Sequence, residues 1–398
     1  MKILVADAFP PERLSDFQAI GLAVDSRPDV PAKEMAAAAR DASILVVRSK
    51  QVAADVFEGA PALSLVVRAG AGVNTIDVAA ASRRGVYVAN CPGQNSIAVA
   101  ELAIGLLVSL DRRIPDNVAQ LRAGKWDKKG FSEAQGLFGR TLGVVGLGSI
   151  GREVVRRAQA LGLRVVAWSR SLDEAEAKRL GVERAPDLLS VARAADFLSL
   201  HLALHKETRG IVSREVLGAL RPGAALINTA RAELVDEAAL LEAVKGGRLR
   251  LGTDVFPGEP EKGKADFVSE LAQLPGTYGT HHIGASTAQA QDAIARETVR
   301  IVASFVRTGE VPNCVNVARK TPARARLVVR HHDKVGVLAE VLGLVREAGI
   351  NVEGMRNVVF ENAQAASAAI DLGTVPGEEL LARVRGSREV LFVDCFEL

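Results

Sequence analysis

Six residues, Gly146-Leu147-Gly148-Ser149-Ile150-Gly151, limit what this chain can fold into more than any other feature. They follow Thr141-Leu142-Gly143-Val144-Val145, a short apolar run that reads as a buried parallel strand. After them, apolar residues recur at Ile150, Val154, Val155, Ala158 and Leu161, a helical period that Gly162 is placed to end. A second strand is expected over 163–168. Glycines in this spacing also occur in ordinary tight turns. Between a strand and a helix, with a second strand at this distance, they read as a dinucleotide seat. The first glycine lets the chain turn, the second admits a pyrophosphate against the backbone, and the third lets helix and strand pack closely.

The end of the second strand usually carries a carboxylate for the adenosine ribose. Here it reads Trp168-Ser169-Arg170-Ser171. No carboxylate stands there to repel a 2′-phosphate, and Arg170 is placed to pair with one. The expected cofactor is therefore NAD(P), with NADP tolerated or preferred. The competing reading of Arg170 is a solvated surface charge.

The 398 residues suffice for two or three domains. Short apolar strands are expected at 3–6, 44–47, 65–67 and 86–89, in the alternating rhythm of an open α/β domain. Residues 96–112 read as a long apolar connecting helix capped by Asn95 or Ser96, with Glu101 buried within it. Further strands at 197–200, 225–228, 251–254 and 277–280 continue the dinucleotide domain, and a helix over 287–308 returns to the first domain. This divides the chain into a discontinuous substrate-binding domain, 1–95 with 285–318, and a dinucleotide-binding domain, 96–284. A polar, basic connector follows, Asn316-Val317-Ala318-Arg319-Lys320-Thr321-Pro322. Residues 323–398 then spell β-α-β-β-α-β, the ferredoxin-like order. The expected fold class is α/β: two Rossmann-like or flavodoxin-like domains plus a C-terminal ferredoxin-like unit.

Fifty basic residues stand against 47 acidic ones, a balance with no electrostatic footprint for nucleic acid or a membrane surface. Cys91, Cys314 and Cys395 are too few for a disulfide framework and suit a reducing compartment. Lys2-Ile3-Leu4-Val5-Ala6-Asp7 reads as a strand rather than a leader, and no apolar stretch is long enough to span a bilayer. A cytoplasmic location is expected.

Three polar residues each follow a strand on the edge where open α/β sheets bind ligands. Arg231 ends Asn228-Thr229-Ala230-Arg231 and can hold a carboxylate bidentately. Glu259 lies between Pro257 and Pro260, which stiffen its loop. His282 follows His281, and spacing alone does not choose between the two imidazoles. Each alone has an ordinary reading, as a surface ion pair, a turn acid or a structural histidine. Three successive strand ends carrying an anion clamp, a carboxylate and an imidazole point instead to acid–base chemistry on an anionic substrate. No third or fourth ligand is spaced to make His281 and His282 a metal site, so no metal is expected. Arg48-Ser49-Lys50 and Arg68-Ala69-Gly70, after strands of the first domain, are the candidate substrate residues, with three cations suited to a phosphate.

Taken together these motifs resemble the D-isomer-specific 2-hydroxyacid dehydrogenases over nearly the whole chain. The likeness rests on the glycine loop, on Asn228 to Arg231 followed by Val235-Asp236-Glu237, on Asp254-Val255-Phe256-Pro257 with Glu259-Pro260, and on His282-Ile283-Gly284. It implies that Arg231, Glu259 and His282 are catalytic and that Gly146, Gly148, Ser149, Ile150, Gly151, Ser169, Arg170, Ala230 and Asp254 bind the cofactor, Asp254 at its carboxamide. The family usually has Pro before the catalytic His, which selects His282 and makes His281 a departure. Ala232 replaces a usual Gly, and Ser169 a usual Asp.

Residues 323–398 resemble an ACT module, marked by His331-His332-Asp333-Lys334-Val335-Gly336-Val337-Leu338 and Gly349-Ile350-Asn351. Phosphoglycerate-oxidising members often carry this module, so the implied substrate is D-3-phosphoglycerate, at the entry to serine synthesis. The resemblance also implies a homo-oligomer and an amino-acid effector, serine, near His331, Asp333 and Asn351. Asp333 stands where such sites commonly have Asn and would repel the effector's carboxylate. Two alternatives stand beside this. One is an NADPH-dependent glyoxylate or hydroxypyruvate reductase, favoured by Ser169-Arg170. The other is a non-enzymatic dinucleotide-sensing protein on the same fold.

Overall fold

The computed structural model describes residues 1–260, 264–318 and 320–398; Arg319 of the expected connector lies outside the described residues. The chain divides into two compact units, Met1–Asn316 and Val317–Leu398.

The first unit holds two parallel sheets. β1 (Lys2–Val5), β2 (Ala23–Ser26), β3 (Ile44–Val47), β4 (Leu65–Arg68) and β5 (Tyr87–Asn90) form one in the order β2-β1-β3-β4-β5. Its inner strands are apolar on both faces because helices cover both, as a parallel sheet requires. The helix Ala288–Thr308 returns to this sheet, burying Ile294, Ile301 and Val302 against Ile3, Val5 and Val67. The second sheet contains β6 (Thr141–Val145), β7 (Arg164–Trp168), β8 (Glu183–Arg184), β9 (Phe197–Leu200), β10 (Ala225–Asn228), β11 (Arg250–Thr253) and β12 (Thr277–Gly279), ordered β12-β11-β10-β9-β6-β7-β8. The order reverses beside β6, so the glycine loop opens at the switch point where such sheets bind ligands.

The helix Ser96–Arg112 packs on the second sheet through Ala103, Leu106, Leu107 and Leu110. Gly252 of β11 lets it come close, since a Cβ there would lie 3.0 Å from Leu110 Cδ1. Two expectations about this helix are corrected. Glu101 is exposed, 3.5 Å from Arg157, because it lies on the helix's narrow solvent-facing stripe. Asn95 sits at the N-cap position but its side chain makes no capping bond; Asn95 Oδ1 and Ser96 Oγ are buried without a hydrogen-bond partner among the described residues. β2 and β8 were not expected, since Ala-Val-Asp-Ser and Glu-Arg show no apolar run; both are edge strands.

The second unit is an antiparallel sheet ordered β14-β15-β13-β16, from β13 (Ala325–His332), β14 (Val352–Val359), β15 (Ala365–Leu372) and β16 (Val390–Glu397). Helices Val337–Glu347 and Glu378–Arg385 cover one face, and Leu327, Val329, Val341, Val345, Ile370, Leu380 and Val384 make its own core. This is the expected β-α-β-β-α-β unit. No described helix is long and apolar enough to cross a membrane.

Candidate active site

Each glycine of the loop does a different job. Gly146 has φ +95°, and a Cβ there would lie 2.6 Å from the His201 carbonyl oxygen. Gly151 sits so close beneath the turn that a Cβ would come 2.0 Å from Gly146 O. Gly148 has nothing within 4 Å of its would-be Cβ. The turn and the helix contact are thus closed to side chains, and the middle position faces open space a ligand can enter. The helix Ser149–Ala160 begins at Gly148 with no side-chain cap, which leaves its first N–H groups for a pyrophosphate. These residues fit a dinucleotide. At the end of β7, Ser169 is half-buried and Arg170 is exposed, with no hydrogen bond or ion pair to any described residue.

Arg231 is placed by Asn228, whose Oδ1 accepts from Ala230 N at 3.0 Å and whose Nδ2 donates to Arg231 O at 2.8 Å. Its guanidinium reaches the first sheet's side of the cleft. A Cβ on Gly72 would lie 3.1 Å from Arg231 Nη2.

His282 Nδ1 donates to Glu259 Oε2 at 2.6 Å, and Glu259 Oε1 accepts from Phe256 N at 2.7 Å. This bond fixes the proton on Nδ1 and leaves Nε2 free to take another. The Glu259 hydrogen bond raises the His282 pKa above the ordinary imidazole value, outweighing burial. Burial pushes the Glu259 carboxyl up, but the bonds from His282 and Phe256 hold it below the usual range. His281 is exposed and has no part in the pair.

The backbone at His282 is left-handed, φ +52°. A non-glycine residue adopts this at a cost of about 1–3 kcal/mol, so its surroundings must impose it. Asp254 does so. It is 1% exposed; its Oδ1 accepts from Thr280 Oγ1 at 2.6 Å and Ile283 N at 2.8 Å, and its Oδ2 from Gly284 N at 2.8 Å. Its carbonyl accepts His282 N at 2.9 Å. Asp254, expected at the cofactor carboxamide, holds the turn that carries His282, and Oδ2, with one bond against two at Oδ1, has the greater capacity left.

On the first sheet, Arg68 is half-buried and its Nε has no hydrogen-bond partner among the described residues. Burial, then the charges of Arg231 and Arg48, lower its pKa from the free value. The charges of Arg48 and Arg231 thus both bear on Arg68, whose Nη1 lies 1.7 Å from where a Cβ on Gly70 would fall. Ala69 is buried behind them. Lys50, expected among the cations, donates its ammonium to Pro28 O at 2.5 Å and Val30 O at 2.7 Å. Ser49 donates its hydroxyl to Asp7. The cationic trio is Arg48, Arg68 and Arg231.

Sequence reasoning passed over His201. Its ring shares a 2.9 Å hydrogen bond with Ser199 Oγ, burial holds its pKa down at about 4, and its carbonyl walls the glycine turn. The only sequence signal was a histidine directly after β9. A cavity of about 460 Å³ lined by Asp111, Arg112, Arg140 and Arg250 lies at the opposite sheet edge, where β6 and β11 begin, and holds none of these residues. Among the described residues no group of three His, Cys, Asp or Glu could hold a metal ion.

In the second unit His331 is buried, with Nδ1 donating to His332 O at 2.7 Å and Nε2 lying 3.4 Å from Asn357 Oδ1. Asp333 is exposed, and Asn351 donates to Glu353 at 2.8 Å. Among the described residues these three share no hydrogen bond.

Residues 104–284 match the family model described as "D-isomer specific 2-hydroxyacid dehydrogenase, NAD binding domain". The chain is 41% identical to a D-3-phosphoglycerate dehydrogenase of Mycobacterium bovis, over 91% of this chain and 68% of that protein. It is 38% identical to a D-3-phosphoglycerate dehydrogenase of Methanocaldococcus jannaschii, over 80% of this chain and 60% of that one. The chain thus matches roughly three-fifths to two-thirds of these relatives' length. A solved NADPH-dependent glyoxylate/hydroxypyruvate reductase from Sinorhizobium meliloti is 30% identical, with TM-score 0.68 over 79% of this chain and 96% of its own. With the glycine seat, the arginine and the histidine–glutamate pair in place, this kinship shows that the chain belongs to the D-isomer-specific 2-hydroxyacid dehydrogenases.

Proposed function

We propose that this protein oxidises D-3-phosphoglycerate to 3-phosphohydroxypyruvate, using NAD(P). The observation that carries the reading is that the charges of Arg48 and Arg231 both bear on Arg68, which is half-buried and whose Nε has no hydrogen-bond partner among the described residues. A single substrate carboxylate does not balance three guanidinium groups; a substrate with a phosphate at its other end does. Arg231 binds the carboxylate and steadies the C2 oxygen. Nε2 of His282 takes the C2 hydroxyl proton, and Glu259 stabilises the imidazolium that results. The bound nicotinamide supplies the hydride acceptor. Residues 1–95 with 285–318 serve as the substrate domain and 96–284 as the cofactor domain, closing to exclude water.

The reductase reading is favoured by one feature, Ser169-Arg170 where a ribose-binding carboxylate usually stands. Rates with 3-phosphohydroxypyruvate, glyoxylate and hydroxypyruvate, measured side by side with NADH and NADPH, separate the two. The phosphorylated substrate should give the highest kcat/KM; highest kcat/KM with glyoxylate would replace this reading by the reductase.

The same proposal extends to residues 323–398 as an ACT-like regulatory domain, taking serine near Asp333 and Asn351 in a cytoplasmic homo-oligomer. The buried, bonded ring of His331 makes it a support of that site rather than an open ligand contact.

A further inference from the structure

Asp7 lies just past β1, at the end of an apolar run whose sequence marks it only as the close of a strand. In the structure its Oδ2 accepts three consecutive backbone amides, Arg48 N at 2.6 Å, Ser49 N at 3.1 Å and Lys50 N at 3.2 Å. Its Oδ1 accepts the Ser49 hydroxyl at 3.0 Å. The Lys50 ammonium ties the far end of the same loop to the carbonyls of Pro28 and Val30. A row of converging amides is itself an anion-binding concavity. Here the chain fills it with its own carboxylate. An incoming phosphate therefore meets the arginine side chains, and the loop that carries Arg48 is held before substrate arrives.

We propose that Asp7 is a positioning residue for the anion site, fixing the 48–50 loop so that Arg48 joins Arg68 and Arg231; this rests on the dehydrogenase reading above. Two effects of Asp7 on an anionic substrate have opposite signs. Its charge, near enough to Arg68 to act on that group, opposes anion binding through space. Its clamp favours binding by holding Arg48 in place. Asp7→Asn keeps the side chain's size, removes the charge and weakens the three charge-assisted amide bonds of the clamp, so the sign of the change says which effect governs.

The test has a kinetic arm and a turnover-free arm. In Asp7→Asn, KM for D-3-phosphoglycerate should rise about tenfold or more while kcat changes less than about threefold. NADH affinity should stay unchanged, because the glycine seat lies on the other sheet. Amide hydrogen exchange of a peptide spanning 44–51 should speed up. Inorganic phosphate, titrated calorimetrically, should bind at least about fivefold more weakly. A KM that falls or stays the same, unchanged exchange, or equal phosphate binding would each overturn the proposal. If Asp7→Asn does not fold, Ser49→Ala removes one contact and should raise KM about two- to threefold; wild-type KM and exchange there would overturn it equally. A wild type that turns over no 2-hydroxy acid would end the dehydrogenase reading, and the exchange and phosphate arms would still decide the role of Asp7.

Discussion

At the scale of single residues, the 2.6 Å bond between His282 and Glu259 sets the pH behaviour. Oxidation needs His282 neutral, so its rate falls as pH drops through the raised His282 pKa; reduction needs the protonated ring and fails as pH rises through it. Glu259→Gln removes the largest cause of the raised value. Both limbs should then move to lower pH in rate–pH profiles, with kcat lowered less than by loss of the imidazole. His282→Ala should lower kcat by about 10²- to 10⁴-fold and leave cofactor affinity nearly intact, whereas His281→Ala costs little. Equal losses in the two histidine variants would refute the assignment. The three polar positions were legible because each follows an apolar strand. The supports were not. Asp254 and Asp7 act through hydrogen bonds to backbone about 30 and 40 residues away, and no local pattern records such a partner.

At the scale of elements, the glycine loop separates folding from binding. Gly148→Ala adds a methyl group to open space, so Tm should hold while NAD(H) binding weakens by an order of magnitude or more. Gly151→Ala places a carbon 2.0 Å from Gly146 O and should lower both, with about 1–3 kcal/mol lost from stability. Loss of Tm in Gly148→Ala would contradict the roles assigned to these positions. Arg170, exposed after β7 and without an ion pair among the described residues, carries the cofactor expectation. Arg170→Ala should weaken NADPH by about 1.5–3 kcal/mol and NADH little; equal losses would mean the guanidinium never meets a 2′-phosphate. Inner strands were read from sequence to within a residue or so because both their faces are buried. The edge strands β2 and β8 escaped, since one edge of each is unpaired and their residues need not be apolar. For the helix Ser96–Arg112, the apolar run gave its extent but hid the stripe on which Glu101 meets solvent.

At the scale of the molecule, the chain forms two units with separate cores, so effector binding can be measured apart from catalysis. If Asp333 and Asn351 hold serine, calorimetric titration should show binding at low-millimolar strength or better, lost in Asn351→Ala and accompanied by inhibition. Binding that survives Asn351→Ala would place the effector elsewhere. The succession of two parallel sheets was legible from strand–helix alternation, and the change to antiparallel pairing from the β-α-β-β-α-β order after residue 323. The arginine cluster was only half legible, because Arg48, Arg68 and Arg231 come from two sheets and Lys50 turned away to backbone carbonyls. The central claim is that this cluster selects a substrate with two anionic ends. It is tested most directly by kcat/KM for D-3-phosphoglycerate against D-glycerate in wild type and Arg48→Ala. Wild type should prefer the phosphorylated acid, and Arg48→Ala should remove most of that preference, about 1.5–3 kcal/mol or roughly ten- to a hundredfold; equal kcat/KM for the two acids in wild type would contradict it.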